Sequence, residues 1–325
     1  MVNEMPHHID VIIPCYNCGQ FLETTLESIH AQAGEFSICD IFIVNDRSAD
    51  QRTIDLLYQL KLKGQVRILE NDGKKGAASA RNTGLRESRS EWIIFLDGDD
   101  ILQPGSIQAR IDVLKSHPAI EWIGGDITLM DEAGTKEREG FFSSRPRTRQ
   151  VLQPAWSSQH ATIFVRPVEM FAKACLTQVG ASLISRRLIE EVGGFNENLW
   201  QAEDYQLWLK LANVADFAFI PRSLLLYRQH DGSTMATDSP PRKWTIQAFQ
   251  ELESDPYFSQ INWLLKQRIS QFYTENAWYF VLKHQFLAAA NSYFHAFLYR
   301  PNMRSVVEIM KLVPRAFVST KSRLQ

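Results

Sequence analysis

The sequence predicts an α/β protein with a mostly parallel, doubly wound sheet flanked by helices and an α-helical C-terminal extension. Two observations favour this class. Four short apolar stretches alternate with three stretches that carry apolar residues at helical spacing. The last of the four, residues 92–96, is an unbroken apolar run of the kind that helices cover on both faces. Right-handed crossovers then collect the carboxyl ends of all four strands at one edge.

Each predicted element has its own local signal. The first helix lies between Gly19 and Gly34, the second follows Asp50, which can cap it, and the third covers about residues 77–88. The strands are apolar runs rich in β-branched residues, at residues 9–13, 40–44, 66–69 and 92–96.

Composition excludes several kinds of protein. The chain has 325 residues, of which 45% are hydrophobic and 22% charged, so it can bury a large core and is not extensively disordered. A formal net charge of −2 gives no overall field that would attract nucleic acid. The chain begins without an apolar signal core, and no window approaches the ~18 apolar residues of a membrane span. We therefore expect a cytoplasmic protein.

Cys15 and Cys18 form a Cys-x-x-Cys pair directly after the first strand. A structural zinc site would need a second pair, which the sequence lacks. A thioredoxin-like role requires the motif to open a helix after a strand, and this condition is partly met. Free buried thiols in a reducing compartment are the favoured interpretation.

An acidic triplet ends the fourth strand. Asp97, Asp99 and Asp100 lie where ligands bind in open α/β sheets, in the crevice outside the carboxyl ends of the strands. Three neighbouring carboxylates repel one another unless a cation lies among them, and a divalent cation with open positions can also hold a diphosphate. The alternative is a turn that caps the next helix, because Pro104 and Gly105 follow closely. The triplet alone leaves both interpretations open.

Other polar residues are predicted at the same edge. Tyr16 could stack on a base, Asp46 could accept a hydrogen bond from a base imide, and Lys75 or Arg81 could face phosphate. The sequence has neither a Gly-x-Gly-x-x-Gly after the first strand nor a Walker-type lysine loop. Each residue alone is more typical of a solvated loop. Together, and with Pro14 and Lys74 at the same edge, they favour a binding site for a nucleoside diphosphate.

The motifs IIPCYN, VNDRSAD, GAASARNTGL and FLDGDD resemble, in order and spacing, the nucleotide-binding half of the family 2 glycosyltransferases with the GT-A fold. The resemblance continues through NENLWQAEDYQLWLKLA to LYRQHDGST and covers about residues 8–235. It implies an inverting transfer from a nucleotide sugar, typically a UDP-sugar, with Mn²⁺ or Mg²⁺ as the cofactor. The acceptor it implies is a hydroxyl of a glycan or of a lipid-linked sugar.

The same resemblance implies roles for particular residues. Asp46 would read the base although Asn45 replaces a frequent aspartate, Arg81 would approach the pyrophosphate, and Asp97 the ribose. The whole nucleotide-binding set is Pro14, Tyr16, Asn17, Asp46, Lys75, Arg81, Asp97 and Gly98.

Two further sites carry the proposed chemistry. Glu203 and Asp204 precede a helical stretch, where acids also complement the helix dipole. The resemblance makes Asp204 the general base that an inverting transfer needs, with Glu203 supporting it. Asp99 would bind the metal, and the metal would stabilise the leaving group, so that no second acid is required. His230 is either a loop histidine that makes one hydrogen bond or a second metal ligand. Only the nearby Arg228 and Ser233 support the role as a metal ligand.

The chain between the acidic triplet and Glu203 is harder to read. A helix over residues 106–116 ends before Pro118, and a strand follows over residues 121–126. Gly124 and Gly125 would let a donor sugar approach the backbone closely. Residues 131–175 show no periodicity, so the sequence leaves the acceptor site unassigned.

Two other functions remain as alternatives. A phosphatase of the haloacid-dehalogenase type would use Asp97 as nucleophile and Asp99 as acid/base, but that family places its Asp-x-Asp after the first strand. The other is a non-catalytic scaffold that binds nucleotide sugars.

Three regions are expected: a nucleotide-sugar-binding half at 1–125, an acceptor and catalytic half at 126–238, and the helical extension at 239–325. In the extension, Ala289, Tyr293, Ala296 and Pro301 have the spacing of one tetratricopeptide-like hairpin.

The last helix, at about residues 302–313, has an apolar stripe of Met303, Val306, Val307 and Met310. From residue 296 to the end, six cations face one acid, Glu308, so the local charge is 6 − 1 = +5; the cations are Arg300, Arg304, Lys311, Arg315, Lys321 and Arg323. The segment would dock peripherally on the anionic inner face of a membrane, or the stripe is core.

Overall fold

The structure is a computed structural model that describes residues 7–321 except 136, 159 and 231–239, with side chains of the last helix described as far as Leu312. The chain divides into two compact units, residues 1–233 and residues 234–325. The prediction that the first unit has two halves meeting at residue 125 stays a prediction.

The first unit is a mixed sheet with helices packed around it. Its ten strands are β1 His7–Cys15, β2 Phe36–Asn45, β3 Arg67–Glu70, β4 Trp92–Phe95, β5 Ile101–Leu102, β6 Trp122–Met130, β7 Glu137–Arg138, β8 Thr162–Phe164, β9 Leu183–Ser185 and β10 Phe217–Arg228. Its helices are α1 Leu22–His30, α2 Gln51–Lys63, α3 Ala77–Glu87, α4 Ser106–Ser116, α5 Pro146–Val151, α6 Gln153–Trp156, α7 Val168–Lys173, α8 Arg186–Glu191 and α9 Glu203–Val214.

The strand order is β3-β2-β1-β4-β9-β6-β10-β5, with β7 on β6 and β8 on β10. The four predicted strands β1 to β4 pair in parallel, as expected, and so do β6 and β10. The pairings of β9, β5, β7 and β8 are antiparallel. The sequence did not predict these four strands, because two or three residues are too few to show a periodicity. The twelve-residue strand β10 was not predicted either.

Close packing fixes α3 against the sheet. A Cβ at Gly84 would collide with the side chain of Ile12 and would lie 3.3 Å from Val44 Cγ2. Only glycine therefore lets α3 approach β1 and β2 this closely. Arg81 lies on the same helix, so this contact also fixes the position of a predicted site residue.

Gly124 and Gly125 of β6 have a different role from the predicted one. A Cβ at Gly124 would lie 2.5 Å from Thr177 Oγ1, and one at Gly125 would lie 2.6 Å from Leu224 Cδ1. The expectation that they face a donor sugar is wrong, because both positions are filled by neighbouring side chains of the protein. The core beside them is aromatic, with Trp122 stacked on Trp208 at 5.3 Å between ring centroids.

The second unit is helical, with α10 Lys243–Glu253, α11 Asn262–Leu282, α12 Phe286–Tyr299 and α13 Met303–Lys321. Helices α11 and α12 form the predicted hairpin, and its core includes Ala277, Ala289 and Tyr293. Leu312 of α13 belongs to the same cluster. In the described part of the chain, no helix is both long and apolar enough to cross a bilayer.

Asp10 of β1 is a buried carboxylate with several hydrogen-bond donors. It accepts bonds from the Ser88 and Ser90 hydroxyls and the Arg89 and Ser90 amides at 2.6–3.0 Å. Burial alone would raise its pKa, but these hydrogen bonds outweigh burial and hold the pKa below 3.8. We expect Asp10→Asn to lower the free energy of unfolding at neutral pH by about 2 kcal/mol.

The sign of the pH dependence follows from the lowered pKa. The stabilisation from ionised Asp10 is present above the unfolded pKa of 3.8 and is lost as the pH falls through the lower folded value. Urea unfolding at neutral and acidic pH measures the difference between wild type and variant, which should shrink in acid. Asp40→Asn is the control, because its 3.6 Å pair with Arg67 is exposed and should cost little. A pH-independent loss in Asp10→Asn would contradict the prediction.

Candidate active site

The carboxyl ends of β1, β2 and β4 meet at one edge of the first unit. Asp46 N donates to Cys15 O at 2.8 Å, and Leu96 N donates to Ile12 O at 3.0 Å, so the loops after these strands are neighbours. The predicted nucleotide-binding residues and the acidic triplet lie at or after these ends, except Lys75, which lies in the loop between β3 and α3, and Arg81, which lies on α3.

Asn17 joins two of these loops. Its Oδ1 accepts from the amides of Ala49 and Asp50 at 2.8 and 3.2 Å, and its own amide donates to Ser48 Oγ at 3.1 Å. Its φ of 52° is in the left-handed region, which asparagine tolerates better than most residues. Asn17 therefore fixes the turn that presents Tyr16.

Tyr16 and Lys75 form an accessible aromatic and cationic pair. Tyr16 is 48% exposed, and Lys75 Nζ lies 3.9 Å from the centroid of its ring. One neighbour, Lys74, instead donates to Asn198 Oδ1 at 2.5 Å. The exposed ring can stack on a planar group, and the Lys75 ammonium supplies positive charge beside it.

Asp46 is more constrained than the sequence indicated. It is 4% exposed, its Oδ1 accepts from Asn71 Nδ2 at 2.6 Å, and its Oδ2 accepts from Gly76 N at 2.8 Å. Each oxygen keeps a second lone pair, so a base contact remains possible in chemical terms. The contact with a base stays a prediction, and the observed role of Asp46 is to hold the loop between β3 and α3.

Arg81 connects the acidic turn to the start of α9. It is 3% exposed and donates from Nη2 to Asp97 Oδ1 at 2.6 Å and from Nη1 to Glu203 Oε1 at 2.7 Å. Burial disfavours its charge, but Asp97 and Glu203 outweigh burial and raise its pKa above the ordinary value. Its contact with a pyrophosphate stays a prediction, because both terminal nitrogens are already bonded to carboxylates.

Gln178 is a residue that the sequence did not indicate. Its Nε2 lies 3.5 Å from Asp97 Oδ2, while its Oε1 accepts from Gly180 N at 2.7 Å. The sequence-based prediction also missed Asn71, which donates to Asp46. Asn71 directly follows β3 as Asp46 directly follows β2, so searching for polar residues just after each predicted strand would have found it. Gln178 follows the stretch without periodicity, and no local signal marks it.

The acidic turn itself has one buried and two accessible members. Asp100 is 0% exposed, and burial followed by the charges of Asp99 and Asp97 raises its pKa well above the usual range. Its Oδ1 accepts from Arg228 N at 3.0 Å, which ties the turn to β10. A Cβ at Gly98 would lie 2.6 Å from Cys18 Sγ, so glycine permits the turn to approach the loop after β1.

Asp99 and His230 form a pair. His230 Nε2 lies 2.9 Å from Asp99 Oδ2, and this hydrogen bond raises the pKa of His230. The ring of Phe21 packs on His230 with 4.9 Å between centroids. Ser233, which was predicted to support this histidine, lies outside the described residues.

The donor chemistry of this pair fits a divalent cation. Two adjacent ligands of an octahedral ion with bonds of about 2.1 Å lie about 3 Å apart, close to the observed separation. No group of three or more His, Cys, Asp and Glu side chains among the described residues could hold a metal. Asp99 and His230 therefore supply at most two positions, and a bound diphosphate would have to supply others.

Asp204 occupies the first turn of α9. Burial, followed by the charge of Glu203, raises its pKa to about 7, while Arg81 lowers it. Ala202, which precedes the helix, has a φ of 63°, a strained value for a non-glycine residue that recurs at functional sites. A carboxylate with a pKa near neutrality can take up a proton at physiological pH.

Two neighbouring groups lie within electrostatic reach of Asp204. Burial, followed by the charge of Asp204, raises the pKa of Cys175. Burial, followed by the charges of the acidic triplet, raises the pKa of Tyr227, and Asp204 adds a smaller contribution. The four thiols of the chain are free, and Cys15 and Cys18 Sγ lie 3.0 Å apart.

The fold is of the type that GT-A glycosyltransferases have. The profile described as "Glycosyl transferase family 2" matches residues 10–175, which is 166 of the 325 residues, and the chain belongs to this family. The match excludes the phosphatase alternative.

Relatives and solved structures agree with this assignment. An uncharacterized glycosyltransferase of Haemophilus influenzae is 26% identical over 64% of this chain and 63% of its own length. The structure of S. aureus TarS 1-349 in complex with UDP-GlcNAc has 16% identity and a TM-score of 0.62, over 93% of this chain and 84% of the TarS 1-349 chain. The Pyrobaculum calidifontis mannosyltransferase PcManGT, in complex with GDP-Man and Mn²⁺, has 17% identity and a TM-score of 0.56, over 99% of this chain and 81% of the PcManGT chain. These structural likenesses support the fold.

Proposed function

We propose that this protein transfers a sugar from a nucleoside diphosphate sugar, a UDP-sugar, to a hydroxyl of a glycan or lipid-linked acceptor, with inversion at the anomeric carbon. The observation that carries the proposal is the Arg81 bridge. One buried guanidinium joins Asp97, in the turn that would contact the donor, to Glu203, the neighbour of the base Asp204. The donor turn and the base are thereby held at the same edge.

The donor would bind along the loops after β1 and β2. The exposed Tyr16 ring suits stacking on the base, and Lys75 suits a phosphate. Asn17 fixes the turn that carries Tyr16, and Pro14 lies at the end of β1 just before it. Asp97 and Gly98 border the ribose side. A nucleotide-sugar donor is also favoured by the related folds, since TarS was solved with UDP-GlcNAc and PcManGT with GDP-Man.

Asp99 and His230 would hold Mn²⁺ or Mg²⁺ together with the donor diphosphate. The ion would neutralise the charge that develops on the leaving diphosphate. The 2.9 Å separation of their ligating atoms supports this assignment, and PcManGT was solved with Mn²⁺.

Asp204 would act as the general base. It accepts the proton of the acceptor hydroxyl while that oxygen forms a bond to the anomeric carbon on the face opposite the diphosphate. The bond between the anomeric carbon and the diphosphate breaks, and its electron pair leaves with the diphosphate. Burial keeps Asp204 basic enough for this step, and Glu203, fixed by Arg81, supports it.

The pH dependence tests the base and its neighbour together. Because Asp204 is protonated below a pKa of about 7, kcat/KM should fall about tenfold per pH unit on the acid side and level off above it. Glu203→Gln removes a charge that raises this pKa, so the acid limb should move to lower pH. Glu190→Gln, which changes an exposed carboxylate paired with Arg186, is the matched control. An unchanged limb in Glu203→Gln would contradict the assignment of Asp204.

The direct test of the function is the release of free UDP from UDP-sugars in the presence of a pool of glycan acceptors, followed by mass spectrometry of the product. Release that requires acceptor, and a product one sugar heavier, are expected. A protein that binds UDP-sugars but releases no UDP with any acceptor would be the non-catalytic scaffold.

A further inference from the structure

The last described helix of the second unit has an apolar side that its own unit leaves exposed. Met303, Val307 and Met310 of α13 are 74%, 41% and 70% exposed. Their spacing of four and three residues places them on one side of the helix. Three large apolar side chains in one row on a surface are more typical of a binding face than of chance exposure.

The same helix uses a different side for its core. Leu312 is 2% exposed and belongs to the hydrophobic cluster of Ala289 and Tyr293, and Ile309 packs against it. Ser305, one turn before Ile309, is 3% exposed. The helix therefore has two apolar sides, and the exposed row is not needed to attach it to the hairpin. The alternative that Met303, Val307 and Met310 are simply core is wrong for these three residues.

Cations flank the exposed row. Arg304 and Lys311 are exposed and lie seven residues apart, so they share a side of the helix next to the apolar row. Glu308 is the one acid of this segment, and Lys311 donates to it at 2.9 Å. Over residue 296 to the end, the sequence carries six cations and this one acid.

We propose that α13 docks the protein on an anionic membrane surface, with Met303, Val307 and Met310 entering the interface and Arg304 and Lys311 contacting lipid phosphates. Glu308 lies between Arg304 and Lys311 on the same side of the helix, so the attraction rests on the net positive charge of the segment. An apolar row on a helix with such a net positive charge is the arrangement by which a helix lies in the plane of an anionic bilayer. A second copy of the chain is disfavoured as the occupant, because the segment carries six cations against one acid and two such segments would repel each other. The proposal stands independently of the proposed transferase activity.

The test is flotation of the full-length protein with phosphatidylcholine vesicles that contain about 30% phosphatidylglycerol, compared with vesicles of phosphatidylcholine alone. We expect flotation with the anionic vesicles at about 0.05 M salt and a large decrease at about 0.5 M, because salt screens the attraction. Failure to float at low salt, or equal flotation with neutral vesicles, would overturn the proposal.

Two variants separate the apolar from the charged contribution. Exchanging Met303, Val307 and Met310 together for serine, or Arg304 and Lys311 together for glutamine, should each lower the partition coefficient at least about tenfold. The variant with glutamine at positions 304 and 311 changes only exposed, charged side chains. It therefore still tests the proposal if the triple serine variant folds poorly.

The control is the pair Tyr58→Ser and Leu62→Ser on α2, which are 60% and 65% exposed and lie on the first unit. This control should float like wild type. Loss of flotation in the control equal to that in the variants would contradict the proposal. So would a triple variant that floats normally but changes from oligomer to monomer in light scattering, since the row would then be a contact between copies.

Discussion

Replacing Asp204 by asparagine should lower turnover at least ~100-fold while donor affinity stays nearly unchanged. Asparagine keeps the size of the side chain and can still accept the 2.6 Å bond from Tyr205 N, but it cannot take a proton from the acceptor. The bridge from Arg81 to Asp97 and Glu203 does not involve Asp204, so the donor side of the site should keep its geometry. Steady-state rates of UDP release measure the turnover, and the Kd for UDP measures the affinity for the nucleotide part of the donor.

Asp112→Asn is the matched control for this experiment. It changes an exposed carboxylate of α4 that accepts a bond from Gln108, and it should affect neither quantity. A variant at Asp204 that lost UDP binding along with activity would assign this residue a structural role, in which its acid complements the dipole of α9.

The second large effect is expected at Asp99. Asp99→Asn should abolish the metal-dependent part of UDP binding while leaving the fold intact, because an amide is a much weaker ligand for Mn²⁺ or Mg²⁺ than a carboxylate. The side chain is 24% exposed and is paired with His230, so little buried structure depends on its charge. Calorimetry of UDP binding with and without each metal gives the metal-dependent heat.

Wild-type protein and Asp55→Asn, which changes an exposed carboxylate bonded to Gln51, should both show that heat. If wild type binds UDP with equal heat in the presence and absence of metal, Asp99 and His230 are not metal ligands. His230→Ala should weaken metal-dependent binding less than Asp99→Asn, because the carboxylate carries the charge.

Local patterns predicted the first half of the chain well. The helix over residues 106–116 was predicted with the bounds that α4 has, because Pro118 prevents its continuation. Asp50 caps α2 through a 2.9 Å bond from Thr53 N, as its position before an amphipathic stretch indicated. The parallel pairing of β1 to β4 was predicted from the alternation of strand-like and helix-like stretches along the chain.

The candidate site could be predicted only as a set of positions at one edge. Arg81 and Glu203 are 122 residues apart, and no local pattern indicates that a guanidinium from one helix will meet a carboxylate at the start of another. For the same reason the sequence predicted ligand contacts for Asp46 and Arg81, whereas in the structure both side chains form hydrogen bonds with the protein.

The contact between Gly84 and Ile12 has a consequence for tolerance to mutation. A methyl group added at Gly84 would meet Ile12 and Val44 of the sheet and would have to displace the helix that carries Arg81. A saturation scan read out by activity should therefore rank position 84 with Asp97 and Glu203 in intolerance, while positions on the solvent side of α3, such as Glu87, accept most residues. Sensitivity at that position would reflect the spacing between a helix and a strand and would not mark a ligand contact.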